Sequence, residues 1–474
     1  MSLSPPPLSP AAIALNRFGL GARPDDAIPA NPSHWLTDQF GRYDAKPPAF
    51  AALADAGAVV SHYRAEQRQM RRAAKADQGA QTGSTGPSDD VKAARQAFQH
   101  DVQDLYRAGV QARADSALAT EAPFVERMVH FWSNHFCVSA DNAQVTALAA
   151  PFERDAIRPH VLGNFTDMLL AVEQHPAMLT YLNQAQSIGP NSPAAERNPH
   201  RRRGLNENLA REIMELHTLG VRSGYTQNDV TEFARALTGW TIDGEDGGEE
   251  TTAAPYRYTF RPARHEPGTR MILGKRYPEA GETQARQALL DFARAPATAT
   301  HIATKLARHF AGDDPPPAMV ARLAANFMEN RGDLPRLYRS LIGSPEAWAP
   351  RPTKFKTPWE WTISSLRGLG YHEAGDIQLA ALETQLGQRV WKPGSPAGWD
   401  DIAASWAGSD ALLRRVEVAQ KLAAPLGGSI DARATAPRLI PASLSNMTAE
   451  QIGRSESPAG AIALMLVSPD FLRR

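Results

Sequence analysis

Apolar residues recur at intervals of three and four along most of this 474-residue chain, and alternating apolar–polar runs are scarce. An interval of three or four places side chains on one face of an α-helix, whereas a β-strand requires an interval of two. Alanine, leucine and arginine, which favour helices, are also plentiful. We therefore predict a mainly α fold with a multihelical, bundle-like architecture and one small β-hairpin insertion.

The β signal follows Trp240, where the composition changes. Residues 242–252 are acidic and rich in glycine, and Tyr256–Phe260 then alternates as a short strand does. Arg270–Gly274 is its predicted hairpin partner. Because the chain is longer than one usual domain, we expect an N-terminal helical subdomain (1–240), a loop and β-hairpin insertion (241–280) and a C-terminal helical subdomain (281–474).

The charge balance argues against a polyanionic partner. The chain has 51 basic and 51 acidic residues, so it has no overall field that would attract nucleic acid or a membrane surface. The cluster Arg201–Arg203 alone favours a nucleic-acid partner, and we expect none. No stretch approaches the roughly 20 apolar residues of a membrane span, and no secretory signal is visible. We therefore expect no membrane span and a cytoplasmic location.

The helix predicted over 207–219 carries acid, amide and guanidinium groups on one face, within about 100° of arc at 100° per residue. These residues are Asn208, Arg211, Glu212 and Glu215. One interpretation is a solvated face with Glu207–Arg211 and Arg211–Glu215 pairs. The other is a site, because burial beside a second carboxylate raises one glutamate pKa, so that one group donates a proton and the other accepts it.

The helix predicted over 121–137 repeats this arrangement, with Glu126, His130 and Asn134 one turn apart on its polar face. Each of the two helices also carries a histidine on its apolar side, where a hydrogen-bonded core residue is expected. If the two polar faces meet, Glu212, Glu215 and His130 are the candidate catalytic residues. The same groups could hold a divalent metal, although the spacing matches no strong metal signature, so the metal is left open.

Further candidates are predicted to bind substrate together with Asn134, Asn208 and Arg211. Arg235 could orient an anionic or hydroxyl-rich substrate through forked hydrogen bonds, and His265 lies in a loop beside the predicted hairpin. Trp399 lies in a glycine- and tryptophan-rich loop and would suit stacking on a sugar ring, or it covers the core. Gly-x-Ser-x-Gly, Walker and Gly-x-Gly-x-x-Gly motifs are absent from the sequence, which disfavours a serine nucleophile and a nucleotide cofactor.

Residues 206–220 and 234–240 resemble the bacterial family of domain of unknown function 1800. Shorter matching pieces occur at Asn16–Gly21, His130–Phe136 and His265–Gly268, so the resemblance spans nearly the whole chain. It implies a helical protein from a family whose members are often exported and often encoded beside a sulfatase-like family. It implies no agreed biochemical role.

We expect the functional centre where helices 124–136 and 207–219 meet the loop around His265. The leading hypothesis is a hydrolase- or lyase-like enzyme that uses the paired glutamates and His130 on a polar substrate such as a saccharide or peptide. The alternative is a non-catalytic binding or maturation partner of a sulfatase-like protein, in which the same groups form a satisfied buried network.

Overall fold

The computed structural model describes residues 6–62, 64–65, 70, 89–197, 204–243 and 256–474. The predicted basic cluster Arg201–Arg203 and most of the acidic stretch after Ile242 lie outside these ranges. Helices dominate, and the predicted mainly α fold is confirmed. Among the helices of the described ranges, none has the length and apolar character needed to cross a membrane.

Before residue 240, the α-helices with both ends in the described ranges are Pro10–Ala12, Pro32–Asp38, Pro48–Ala51, Asp89–Ala119, Pro123–His135, Ala143–Phe152, Phe165–Glu173, Pro176–Tyr181, Pro193–Glu196, Asn208–Glu212 and Gln227–Leu237. Those after it are Glu282–Ala293, Pro296–Ala311, Pro317–Glu329, Leu334–Ile342, Pro358–Gly368, Leu379–Leu386, Ala403–Trp406, Ser409–Ala423, Ala432–Leu439, Asn446–Gly453 and Pro458–Val467. Wider π-helical turns are Ile13–Phe18, Glu153–Ile157 and Ile213–His217. Tighter 3₁₀ turns are Gln39–Gly41, Arg158–His160, Gln184–Gln186, Pro262–Arg264, Pro345–Trp348 and Ala424–Leu426.

The strands form two antiparallel pairs. Strand β1 (Trp240–Ile242) pairs with β2 (Tyr258–Phe260), and β3 (Arg270–Ile272) pairs with β4 (Lys275–Tyr277). The predicted pairing of 256–260 with 270–274 is therefore wrong. Leu273 and Gly274 have φ values of 51° and 74°, and positive φ at both central residues makes a two-residue hairpin turn. The chain folds back at this turn and pairs β3 with its immediate neighbour.

The start of the helix Pro358–Gly368 shows how local sequence sets the position of a functional side chain. Thr357 caps this helix, and its hydroxyl accepts a hydrogen bond from the backbone N–H of Glu360 at 3.3 Å. In return, the backbone N–H of Thr357 donates to Glu360 Oε2 at 3.0 Å. This reciprocal cap, with a proline at the first helical position, favours a helix start at this point and fixes the Glu360 carboxylate.

One hydrophobic cluster extends from Ile13 to Leu472, so distant segments share a core. Arg17 is fully buried and donates to the carbonyl oxygens of Ala347, Ala349 and Arg351. The backbone N–H of Lys354 donates to the Arg474 carbonyl at 3.1 Å. These contacts bring early, middle and late segments together beside the helix Pro123–His135, hereafter the His130 helix.

Candidate active site

A cavity of about 530 Å³ lies beside the His130 helix. Its wall also includes residues of the helices Pro296–Ala311 and Pro358–Gly368 and of the loop 388–402. The volume lies in the usual range for small-molecule sites. Charged side chains and three tryptophans line it, which makes it the candidate active site.

A carboxylate–imidazole pair lies on the cavity wall. His309 Nδ1 is 2.7 Å from Asp401 Oδ2, and Lys354 Nζ is 3.1 Å from Asp401 Oδ1. Burial alone would raise the pKa of Asp401, but His309, Lys354 and Arg474 together hold that pKa well below its usual range. Because an ionised carboxylate only accepts hydrogen bonds, His309 donates from Nδ1, and its Nε2 is left as a proton acceptor.

The environment of His309 keeps the imidazole neutral. Burial lowers the pKa of His309, and the opposing influence of Asp401 offsets only part of that effect. His309 Nε2 is 3.4 Å from Arg127 Nη1, a long contact that a substrate group could replace. A neutral imidazole oriented by a carboxylate is the arrangement expected of a general base.

Glu360 holds Arg127 in place. Glu360 Oε1 accepts a hydrogen bond from Arg127 Nη1 and forms an ion pair with Arg474 Nη2 at 2.8 Å. Burial would raise the pKa of Glu360, but Arg474 and Arg127 hold it well below its usual range. Arg127 also donates from Nε to the Gly19 carbonyl at 2.8 Å. The guanidinium of Arg127 is therefore fixed beside His309.

Three residues predicted from the sequence, His130, Asn134 and Trp399, line this cavity. His130 Nδ1 accepts a hydrogen bond from Trp359 Nε1 at 3.2 Å, and His130 Nε2 is 3.6 Å from Glu126 Oε1. Burial lowers the pKa of His130 well below its usual value, and Arg113, Arg158 and Arg127 lower it further. His130 is thus a neutral side chain whose Nδ1 lone pair is already engaged by an indole N–H.

Asn134 fixes the loop that carries Trp399. Asn134 Oδ1 accepts from the Trp399 backbone N–H at 2.7 Å, and Asn134 Nδ2 donates to the Trp399 carbonyl at 2.9 Å. Gly398 has φ +81°, and a Cβ there would collide with Asn134, so the close approach requires glycine. The buried Trp399 Nε1 has no hydrogen-bond partner among the described residues.

The predicted glutamates are not among the described residues that line the cavity. Glu212 and Glu215 are half-buried, on the helix Asn208–Glu212 and the π-helical turn after it. Burial raises the pKa of Glu212, and Glu215 raises it further, in the direction predicted. The hydroxyl of Tyr225 is hydrogen-bonded to Glu215, and burial together with this carboxylate raises the pKa of Tyr225 to about 12.

The two predicted helices approach each other through the histidines of their apolar sides. His135 Nε2 is 3.2 Å from the His217 carbonyl oxygen. His217 Nδ1 is in turn 2.7 Å from Glu173 Oε1, and both of these side chains are fully buried. These histidines are hydrogen-bonded core residues.

The other predicted substrate-binding residues lie elsewhere and have their own partners. Arg211 Nη2 donates to Glu207 Oε2 at 3.2 Å, as the interpretation of a solvated face requires, and Asn208 is exposed. Arg235 Nη1 donates to Glu232 Oε1 at 2.5 Å. His265 Nδ1 is 2.8 Å from the Thr238 carbonyl oxygen, and its Nε2 is 3.2 Å from Glu279 Oε1. A role in substrate binding stays a prediction for these four residues.

The described residues include no group of three or more histidine, cysteine, aspartate or glutamate side chains arranged to hold a metal ion. Cys137, one of the cavity residues, is buried, and burial raises the pKa of its thiol to about 12. The cavity presents an imidazole–carboxylate pair and fixed cations.

The sequence interpretation missed His309, Asp401 and Glu360. Thr357 and Glu360 have the three-residue spacing of a capping box, which could have placed Glu360 in the first turn of a helix. Asp401 follows Trp399 in the loop already singled out, and His309 lies one helical turn after Lys305. No feature of the sequence shows that His309 and Asp401 meet.

The comparisons with known proteins place the chain in a family. The family model described as "Protein of unknown function (DUF1800)" matches residues 13–473. No curated protein and no solved structure matches the chain. Every cavity residue named above falls within the matched range. Since the match covers nearly the whole chain, the protein belongs to the DUF1800 family of proteins of unknown function.

Proposed function

We propose that this protein is a hydrolase- or lyase-like enzyme that binds a polar substrate, such as a saccharide or peptide, in the cavity beside the His130 helix. His309 acts as the general base, and Asp401 orients its imidazole. The observation that carries the proposal is the 2.7 Å contact between His309 Nδ1 and Asp401 Oδ2 on the wall of a cavity of substrate size. Such dyads activate water or a substrate group by proton transfer.

The proposed reaction uses Nε2 of His309 as the proton acceptor. It takes a proton from a water molecule in hydrolysis, or from the substrate in elimination, and returns it to the leaving group. Asp401 stabilises the imidazolium that forms in between. Arg127, held by Glu360, stabilises negative charge that develops on the substrate beside His309.

The residues predicted from the sequence take different places in this proposal. His130, Asn134 and Trp399 line the substrate cavity, and Trp399 offers its indole N–H. The glutamate pair Glu212 and Glu215 stays a separate prediction. The non-catalytic alternative, a partner of a sulfatase-like protein, treats the same ion pairs as a satisfied structural network.

The test is to incubate the protein with a polar metabolite extract and with panels of glycosides and peptides, and to follow consumption by untargeted mass spectrometry. The variant His309→Asn keeps a donor for Asp401 but lacks the acceptor Nε2. We expect it to lower turnover by about 10²–10⁴-fold without loss of folding. His372→Asn, at an exposed histidine, is the matched control and should leave turnover unchanged.

Two results would count against the proposal. Turnover that survives in His309→Asn would remove His309 from the chemistry. An extract and panels left unchanged by the native protein, with His309→Asn equally inert, would favour the non-catalytic partner.

A further inference from the structure

One face of the helix Pro296–Ala311 presents four ionisable side chains to the cavity. They are His301, Lys305, Arg308 and His309. Their spacing is that of neighbours on one helical face, since side chains three, four, seven and eight positions apart share a stripe. This face therefore brings two cations, Lys305 and Arg308, to the cavity wall beside His309.

Two of these cations differ from the other cations of the cavity. Arg113 is paired with Glu153 at 3.0 Å, and Arg127 is paired with Glu360. Within the part of the chain that the structure describes, no carboxylate forms an ion pair with Lys305 or Arg308. Arg308 donates from Nε to a backbone carbonyl, that of Asp313, at 3.3 Å. Lys305 and Arg308 are thus the cavity cations whose charge is not held by an ion pair with a described residue and is open to a ligand.

The surroundings of Lys305 disfavour its charged form. Lys305 is half-buried, and burial lowers its pKa to about 8, with Arg308 lowering it further and Cys137 and Asp401 opposing the shift. Partial burial without an ion-pair partner disfavours the charged form of an ammonium group. A bound anion would stabilise that form through charge-assisted hydrogen bonds from the ammonium and from the guanidinium.

Lys305 and Arg308 lie close enough to the proposed base, His309, to position a bound molecule beside it. Lys305 and His309 are four residues apart on one helix, which is about one turn or 6 Å along the axis. An anion held by Lys305 and Arg308 would therefore leave the adjoining part of the same molecule beside His309.

We propose that Lys305 and Arg308 bind an anionic group of the substrate, a phosphate or a carboxylate, and so place the rest of the molecule against His309. The assignment of the ligand as substrate rests on the function proposed above. The binding of an anion does not, because it depends only on the cavity and its unpaired cations.

The test measures the dissociation constants of inorganic phosphate and of malonate for the full chain, by calorimetry at constant ionic strength and pH 7. We expect Lys305→Met and Arg308→Gln each to weaken binding of the preferred anion about tenfold or more, the effect of losing a charge-assisted hydrogen bond. Lys46→Met, at an exposed lysine outside the cavity, is the matched control and should change the constant less than about twofold. Preference for phosphate or malonate identifies the anionic group.

The remaining outcomes are also decisive. His309→Asn should keep the anion affinity while it loses turnover, so that failure of the base and failure of the anion site are seen separately. Anion binding that depends on Lys305 without any turnover would support the site and count against the enzyme. Equal losses in Lys305→Met and Lys46→Met, or no binding of either anion, would overturn the anion site. Thermal unfolding of each variant checks its folding, and Arg308→Gln decides if Lys305→Met does not fold.

Discussion

Glu126 and Arg127 are neighbours on the His130 helix, yet they enter two charge clusters of different character. Glu126 joins the closed cluster, which consists of Arg113, Glu126, Glu153 and Arg158. Arg127 joins the cavity cluster, which consists of Arg127, His309, Asp313, Lys354, Glu360, Asp401 and Arg474. One helix thus separates two sets of buried charges.

The positive and negative charges within the closed cluster are equal in number. Arg158 donates to both oxygens of Glu126, at 3.0 and 2.5 Å, and to Glu153 Oε1 at 3.2 Å. Glu153 Oε2 accepts from the Ser133 hydroxyl at 3.0 Å. Two arginines therefore face two glutamates, and each of the four carboxylate oxygens has a donor.

The cavity cluster differs because it borders the cavity. Asp313, Glu360 and Asp401 form ion pairs with Arg127, Lys354 and Arg474. The nearby Lys305 and Arg308 on the wall form no ion pair with a carboxylate of the described residues. Buried ion pairs by themselves are poor indicators of function. The comparison teaches that cations without an ion-pair partner at a cavity wall are the more informative feature.

The largest expected effect is on the closed cluster. Glu126→Gln removes the carboxylate that accepts two hydrogen bonds from Arg158 and leaves a fully buried guanidinium short of negative charge. Breaking a buried pair on one side costs about 3–5 kcal/mol. We expect that loss in the free energy of unfolding, measured by urea denaturation. A loss below about 1 kcal/mol, the value of an exposed pair, would remove the distinction between the clusters.

Glu383 is a buried glutamate outside both clusters, and its protonation should make the stability of the protein depend on pH. Burial raises the pKa of Glu383 to about 8, and Arg415 and Arg113 offset only part of this rise. Between pH 5 and pH 8 the folded protein keeps this proton while the unfolded chain has lost it, so stability falls as pH rises. The slope approaches about 1.4 kcal/mol per pH unit.

Glu383→Gln removes this titration, because glutamine resembles the protonated acid. Over pH 5–8 we expect the native protein to lose about 2–4 kcal/mol of unfolding free energy relative to the variant. Parallel denaturation curves for the two proteins at each pH give the measurement. A constant difference across this range would show that Glu383 is ionised in the fold.

In the cavity cluster, the same change of acid to amide should affect activity more than stability. The Asp401 side chain is 24% exposed, against 2% for Glu126. Asp401→Asn should therefore cost about 1–2 kcal/mol of unfolding free energy, less than Glu126→Gln. It should lower turnover by about 10²-fold or more, because the amide no longer fixes the imidazole tautomer. A variant that is strongly destabilised but fully active would assign Asp401 a structural role.

The sequence predicts features that depend on residues close together in the chain better than features that depend on contacts between distant segments. The helical fold depends on spacing within single segments, so the sequence predicted it. Strand pairing depends on where the chain turns. The sequence analysis did not recognise Leu273 and Gly274 as a two-residue hairpin turn. His130, Asn134 and Trp399, which line the candidate cavity, were singled out because a polar helix face and an aromatic loop are local patterns.

The remainder of the candidate site is built from contacts that no local pattern encodes. His309 and Asp401 are 92 residues apart, and Arg127 and Glu360 are 233 residues apart. A single sequence shows that a helix has a polar face but not what packs against it. The polar face of 207–219 therefore led to the prediction that Glu212 and Glu215 are catalytic. Neither residue is among the described residues that line the cavity.

The smallest expected effect is that of Glu212→Gln. It distinguishes proton transfer by His309 from proton transfer by the pair Glu212 and Glu215. Glu212 is half-buried, and burial raises the pKa of its carboxyl, so Glu212→Gln removes a charge that the fold already disfavours. We expect a change in unfolding free energy within about 1 kcal/mol and turnover within about twofold of the native protein, against the large loss in His309→Asn. Kinetic measurement of both variants on the same substrate makes the comparison. If Glu212→Gln abolishes turnover while His309→Asn does not, proton transfer belongs to the glutamate pair, and the cavity cluster is a second structural network like the closed cluster.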